Sequence, residues 1–176
     1  MKWPDLSSAL SPVSFAVVGA VATRLYMPER ATRDLGIIIS IHDAAAAHQK
    51  LIAAGFKHKG TLIIGGKTWE TPEGNQIDIL EGREEWWPAV IKAAQANRDA
   101  QGLPIIPLPF LILMKYNASR VQDLADISRM LGQANAAALT EIRELFAKYL
   151  PDEQDDLESL IELGRLEFQQ KTRRCE

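Results

Sequence analysis

Cysteine is almost absent. The chain has one, Cys175, which excludes an internal disulfide framework and a cysteine-built zinc site. A lone thiol suits a reducing cytoplasm. Long apolar runs are missing too: nothing approaches the roughly 20 residues that span a bilayer, so no membrane association is expected. Neither charge sign dominates. Lys and Arg total 20 against 23 Asp and Glu, a net charge of −3. That excludes a general affinity for nucleic acid, although a local basic patch stays open. Histidine is scarce, and His42, His48 and His58 show no ligand spacing. What is present is ordinary: 47% apolar and 24% charged residues are the proportions of a globular protein. A chain of 176 residues is about one domain at roughly 150 residues each. It buries enough surface to need no staple.

Residues 13–22 are apolar, and Ala20-Val21-Ala22 mimics a signal-peptidase site. Asp5 stands where such a leader wants basic residues, and Gly19 interrupts a run that is already short. A buried strand at 15–18, ended by Gly19 and followed by a helix over 20–27 stopped at Pro28, fits better. Residues 34–41 form a second strand. Ile37, Ile38, Ile39 and Ile41 make it nearly continuous, as burial on both faces requires. Asp43 caps a helix over 44–54 that Gly55 ends. A strand follows at 61–64, with Gly65-Gly66-Lys67 as a turn, since no phosphate-loop frame surrounds it. A hairpin pairs 68–71 with 76–80 across Pro72-Glu-Gly-Asn75. A helix is expected over 84–101 and an extended connector over 104–109.

From Pro109 onward the pattern is helical, with segments at 110–117, 119–131, 136–150 and 152–171. Asn135 and Asp152 are the expected caps. Leu145, Tyr149, Leu157, Leu160, Ile161, Leu163 and Leu166 form apolar stripes at helical spacing. The acidic run at 152–156 and the basic cluster at 171–174 suit the two ends of one helix dipole. The class is therefore α+β. A mixed sheet with flanking helices occupies residues 1–106, and a C-terminal helical bundle occupies 107–176, the two possible parts of one continuous domain.

Two constellations carry candidate chemistry. The first is Gly19, the stretch Arg30-Ala-Thr32-Arg-Asp34, and Asp78. A glycine between strand and helix lets backbone approach a phosphate. Asp78 alternates with Ile77 and Ile79, so it points away from them. If the strands are neighbours, Asp34 and Asp78 converge, and two carboxylates suit Mg²⁺ held together with substrate phosphates. The plainer reading is a turn cap and a solvent-facing strand residue. The second constellation is Lys115 with Arg120, Asp123 and Asp126. Lys115 ends an apolar helix, where a compact ammonium can meet a phosphate. Arg120, Asp123 and Asp126 recur every three residues and share a helix face. The plainer reading is a local ion pair. Trp86-Trp87 offers a stacking surface, although adjacent residues face different sides of a helix.

This order of strand, glycine and helix, then Arg-x-Thr-x-Asp, then a later strand Asp, resembles the nucleotidyltransferase fold of the DNA polymerase β type. The apolar helix ending in Lys115, followed by Arg120-x-x-Asp123-x-x-Asp126, is similar to the second half of bacterial AbiEii-type and related small nucleotidyltransferase-like proteins, several of them toxins of toxin–antitoxin pairs. The resemblance implies nucleotide-phosphate contacts at Gly19, Arg30, Thr32 and Lys115, metal ligation by Asp34 and Asp78, catalysis by Asp78 and Lys115, and support from Arg120, Asp123 and Asp126. It implies Mg²⁺ as cofactor and an NTP as substrate.

The sequence departs from that pattern at two points. Ala20 replaces the usual second glycine. More important, the family's Asp-x-Asp is here Asp34-Leu35-Gly36. Two-metal transfer shares about three carboxylates between the ions, and Gly36 supplies none. Glu29, Glu70 and Glu81 are the acids within reach as substitutes. Three readings follow: transfer of a nucleotidyl group to an RNA, protein or small-molecule hydroxyl at an impaired metal site, a catalytically inactive relative that binds a protein or RNA, or a protein that self-associates through its C-terminal helices.

Overall fold

A computed structural model describes every residue except 1, 2, 5, 29, 30, 33 and 176, with side chains up to residue 170. It divides into two compact units: Met1–Ala22 with Arg30–Pro107, and Thr23–Glu29 with Leu108–Glu176.

The first unit holds a five-stranded mixed sheet. Its strands are β1 (Phe15–Val18), β2 (Leu35–Ser40), β3 (Lys57–Thr61), β4 (Lys67–Glu70) and β5 (Gln76–Gly82), in the spatial order β1-β2-β5-β4-β3. β2 and β5 run parallel at the centre, and the other pairs are antiparallel. The isoleucine run explains the centre. Ile37 and Ile39 of β2 and Ile77 and Ile79 of β5 are 0% exposed, because parallel strands are covered on both faces. The outer edge of β1 is paired as well. The Val17 amide donates to the Pro104 carbonyl at 2.7 Å, and the Ile106 amide donates to the Val17 carbonyl at 3.0 Å. The expected connector is thus an extended segment laid along β1.

Around this sheet lie α1 (Ser7–Leu10), α2 (Gly19–Thr23), α3 (Ala44–Ala53) and α4 (Trp87–Ala94). Several sequence expectations are corrected. The strand expected at 61–64 lies earlier, at Lys57–Thr61, and Leu62 begins a turn whose amide donates to the Gly66 carbonyl. Gly65 and Gly66 both have positive φ, which tightens the turn and leaves Ile63 and Ile64 in solvent. Asp43 precedes α3 without a side-chain cap bond. The Ser40 hydroxyl, accepting from the His42 amide, caps the 3-10 turn Ile41–Asp43 that leads into the helix. The helix expected over 84–101 stops at Ala94: the Gln95 side chain bonds back to the Ile91 carbonyl, and Asn97 turns to bond the Ile105 carbonyl. The helix expected over 20–27 also ends early, at Thr23, whose carbonyl accepts from the Tyr26 and Met27 amides in a turn. α1 was not anticipated, being only four residues long.

The second unit is a helical bundle of α5 (Leu108–Ala118), α6 (Val121–Gln133), α7 (Ala136–Tyr149) and α8 (Gln154–Cys175). Asn135 caps α7 as expected, accepting from the Ala138 amide at 2.9 Å. Asp152 instead lies inside a 3-10 turn, Pro151–Glu153, ahead of α8. The stripe is narrower than the spacing suggested: Leu157 and Ile161 are buried, whereas Leu163 and Leu166 are each 47% exposed. Gly164 explains the shift. A Cβ on it would lie 2.0 Å from the Ser128 carbonyl oxygen, and one on Gly132 would lie 2.2 Å from the Gly164 carbonyl oxygen. α6 and α8 therefore cross backbone to backbone. The side chains of the basic cluster 171–174 lie outside the described residues.

Candidate functional site

The parallel pairing of β2 with β5 determines what surrounds Asp78. Gly36 is its partner on one side and Thr68, on β4, its partner on the other. Val18 pairs with Gly36, and Gly60 with Thr68. Register partners share a face, so Val18, Gly36, Asp78, Thr68 and Gly60 form one row across all five strands. Asp78 is the only ionisable residue in that row. The neighbouring Ile77 and Ile79 point to the opposite face and are fully buried, as alternation predicted, while Asp78 itself is half-buried. Trp87 of α4 lies against Gly82, further along β5 on the same face as Asp78. The helix thus covers the far end of that face.

Among the described residues one group holds Asp78, the Thr68 hydroxyl, which donates to Oδ1 at 2.7 Å. Its other oxygen, Oδ2, has no protein partner among the described residues. At Gly36 the backbone is extended, and a Cβ would meet Val18 Cγ2 and the Val18 carbonyl oxygen at 3.5 Å, ordinary contact distances. The position beside Asp78 is open to a side chain and carries none. Asp34 stands just ahead of β2, exposed, and Thr32 is half-buried. Gly19 opens α2 at the end of β1 with φ +68°, a left-handed conformation that glycine adopts without strain. Arg30 lies outside the described residues, as does Glu29.

The other acids considered as substitutes are engaged elsewhere. Glu70 pairs with Lys59 at 3.1 Å. Glu81 points to the opposite face, where its Oε1 lies 3.3 Å from His48 Nε2, close enough for attraction but not aligned as a hydrogen bond. The Lys67 ammonium bonds His48 Nδ1 at 2.9 Å, and the His48 ring packs on Trp69, which also meets His58. Burial, and next the Lys67 charge, push the His48 imidazole below its ordinary value. Sequence spacing missed both this cluster and Thr68. Period-two alternation could have found Thr68, since the hairpin it belongs to was anticipated. Trp87 is buried and Trp86 stacks on it with ring centroids 4.0 Å apart, so this pair packs on itself.

In the helical unit, Lys115 is 2% exposed. Its ammonium bonds Asp123 Oδ1 at 2.6 Å and Asp126 Oδ2 at 2.9 Å. Asp123 also accepts from the Arg120 guanidinium, and Asp126 from Gln122. The three-residue spacing of Arg120, Asp123 and Asp126 thus gathers them around the lysine. Burial works against the Asp123 charge, but hydrogen bonds from Arg120 and Lys115 outweigh it and hold the carboxyl below its ordinary range. The observed partners of Lys115 are carboxylates that tie α5 to α6. Nearby, the Tyr116 hydroxyl meets Glu153 and Asp156. Burial and these two acids push the phenol well above its ordinary value.

No family model matches the chain, and no curated protein matches its sequence. Solved structures do. The crystal structure of ANT(2'')-Ia in complex with adenylyl-2''-tobramycin has TM-score 0.50 at 13% identity, over 93% of this chain and 94% of that one. The solution structure of the same antibiotic-resistance factor has TM-score 0.51 at 13% identity, over 96% and 92%. The chain has a nucleotidyltransferase fold. A lower-scoring match is the Cid1 poly(U) polymerase crystal structure, with TM-score 0.33 and 16% identity over 72% of this chain and 44% of that one.

The resemblance read from the sequence implies Mg²⁺ as cofactor. Among the described residues no three His, Cys, Asp or Glu side chains gather as metal ligands, so the described donors alone do not make up a metal pair. A single Mg²⁺ asks for less, one or two carboxylates completed by water and substrate phosphates. Asp78, with one oxygen unpartnered, and the exposed Asp34 have the donor chemistry for that. Among the described residues no helix is long and apolar enough to cross a membrane.

Proposed function

We propose that this chain binds a nucleoside triphosphate with one Mg²⁺ and transfers its nucleotidyl group to a hydroxyl, at a site reduced from three carboxylates to two. The observation that carries this reading is the pairing of Gly36 with Asp78: one carboxylate is retained on the sheet face and the adjoining position is empty. Asp78 and Asp34 are the proposed ligands. The turn at Gly19 and the strand entry at Thr32 approach the phosphates, where a bare backbone and a hydroxyl supply donors. Bound there, Mg²⁺ would draw charge from the triphosphate. Asp78 would also accept the proton of the attacking hydroxyl as that oxygen bonds to the α-phosphorus and pyrophosphate leaves. Lys115 has no assigned part in this chemistry, because its charge is taken up by Asp123 and Asp126. In such a site most stabilisation comes from positioned charge, so the missing carboxylate lowers rate more than affinity.

The acceptor in the reading is a small-molecule hydroxyl, by analogy with the adenylyl-2''-tobramycin bound to ANT(2'')-Ia. An RNA or protein hydroxyl is the alternative acceptor. A second reading, a binding module without catalysis, is favoured by Asp78 standing alone in its row. The test is a transfer assay with α-labelled NTPs, Mg²⁺ or Mn²⁺, and aminoglycosides, total RNA and protein extract as acceptors. An Asp34→Ala/Asp78→Ala protein is the control. Label transferred by the native chain but not by the control supports transfer. Mg²⁺–NTP binding without transfer supports the binding module.

A further inference from the structure

We infer that Thr68 is the positioning residue of this site, fixing the Asp78 carboxylate so that one oxygen is engaged by protein and the other is left for a divalent cation held with nucleotide phosphates. The inference rests on the reading of Asp78 as a metal ligand.

The geometry supports it in three steps. First, Thr68 and Asp78 are direct cross-strand partners, so their side chains leave the same face at neighbouring points. Second, the hydroxyl-to-carboxylate distance of 2.7 Å lies in the range of a good O–H···O bond. An ionised carboxylate only accepts, so the Thr68 hydroxyl is the donor. Its β-branched side chain has few χ1 states, and the strand therefore sets where that donor points. Third, Gly36, the partner on the other side, has no side chain with which to brace Asp78. Among the described residues, Thr68 is the one group that holds this carboxylate. In a site with a full set of acids, several ligands share the work of orienting one another. Here the orientation of Asp78 depends on one hydroxyl. Outer partners of ligating carboxylates typically contribute 10–100-fold to metal affinity.

The experiment is a binding titration of the full chain with a fluorescent ATP analogue, with and without Mn²⁺. The proteins are wild type, Thr68→Val, Thr68→Ser and Asp78→Asn. Valine keeps the shape and removes the donor, while serine keeps the donor. The expected result is a loss of roughly tenfold or more in Mn²⁺-dependent affinity for Thr68→Val, recovery in Thr68→Ser, and no change in metal-free nucleotide affinity for either. Equal Mn²⁺-dependent affinity in wild type and Thr68→Val, with Asp78→Asn weakened, overturns the role of Thr68 alone. Equal loss in Thr68→Ser and Thr68→Val also overturns it, since packing and not the hydroxyl is then what matters. If Asp78→Asn binds Mn²⁺–nucleotide as wild type does, the metal reading of Asp78 falls and Thr68 falls with it.

Discussion

Replacing Gly36 by Asp puts the proposed loss of a ligand to a quantitative test. A Cβ at this position meets Val18 at 3.5 Å and nothing closer, so the first atom of the new side chain enters at ordinary contact distance. Removing a glycine from a strand interior contributes about 0.5–1 kcal/mol through the unfolded chain. Against this stands a second carboxylate directly opposite Asp78, and like charges in that arrangement destabilise by roughly 0.2–1 kcal/mol. Without metal the two effects nearly cancel. The variant should melt within about 2–4 °C of wild type, the shift that 1 kcal/mol produces in a chain of this size. With a divalent cation the balance changes. A cation that binds only the folded state at a hundredfold above its dissociation constant stabilises by about 2.7 kcal/mol, which is roughly 5–11 °C at the same conversion. The assay is thermal unfolding with and without Mg²⁺, at matched ionic strength and with Ca²⁺ as a comparison. The expected outcome is a Mg²⁺-dependent rise in Gly36→Asp much larger than in wild type. Equal Mg²⁺ responses in the two proteins would refute the reasoning, because the side chain at 36 would then not share a site with Asp78.

Lys115→Met leaves Asp123 and Asp126 buried without their shared cation, and breaking a buried pair in this way costs about 3–5 kcal/mol. Chemical denaturation should show that loss, and a change below about 1 kcal/mol would contradict the role given to Lys115. Gly164→Ala drives a methyl group to 2.0 Å from the Ser128 carbonyl oxygen, so α6 and α8 must separate. Overpacking of this kind costs typically 1–3 kcal/mol, and a denaturation midpoint equal to wild type would show that the helices do not cross there. His48 is faced by Lys67, Glu81 and His58, and its imidazole sits below its ordinary value in the folded chain. As pH falls below about 6.5, the unfolded chain takes up a proton that the folded chain resists. The stabilisation is therefore complete above that pH and is lost on acidification. His48→Gln should flatten this slope in unfolding measured between about pH 7.5 and 5.5, and an unchanged slope would assign it to other groups.

Much of the sheet was legible because its signals are local. An unbroken isoleucine run announces a doubly covered strand, and Pro72-Glu-Gly-Asn75 announces a hairpin turn, held here by the Thr71 hydroxyl accepting from the Glu73 and Asn75 amides. The errors fall where tertiary contacts override local preference. Residues 84–101 have helical composition throughout, yet Gln95 and Asn97 spend their amides on the Phe15, Ile91 and Ile105 carbonyls and bend the chain onto β1. Leu163 and Leu166 have helical apolar spacing, but the small Gly132 and Gly164 turn a different side of α8 toward α6.

The site shows the same division. Alternation alone places Asp78 opposite Ile77 and Ile79, and a motif comparison alone marks Gly36 as the position where the resemblance expects an acid. Neither says what stands beside Asp78, because that is a matter of register. Only once β5 is paired with β2 and β4 do Gly36 and Thr68 become its neighbours. The same holds for Lys115. A lysine ending an apolar helix is equally suited to a phosphate and to a buried carboxylate, and sequence spacing leaves both open. The folded chain offers it two carboxylates within 3 Å, and an ammonium so neutralised and desolvated exerts little field beyond its partners. In the sheet row the side chain with an open oxygen is Asp78, which in the proposed site would act through a bound cation, and the Thr68 hydroxyl is what fixes its other oxygen.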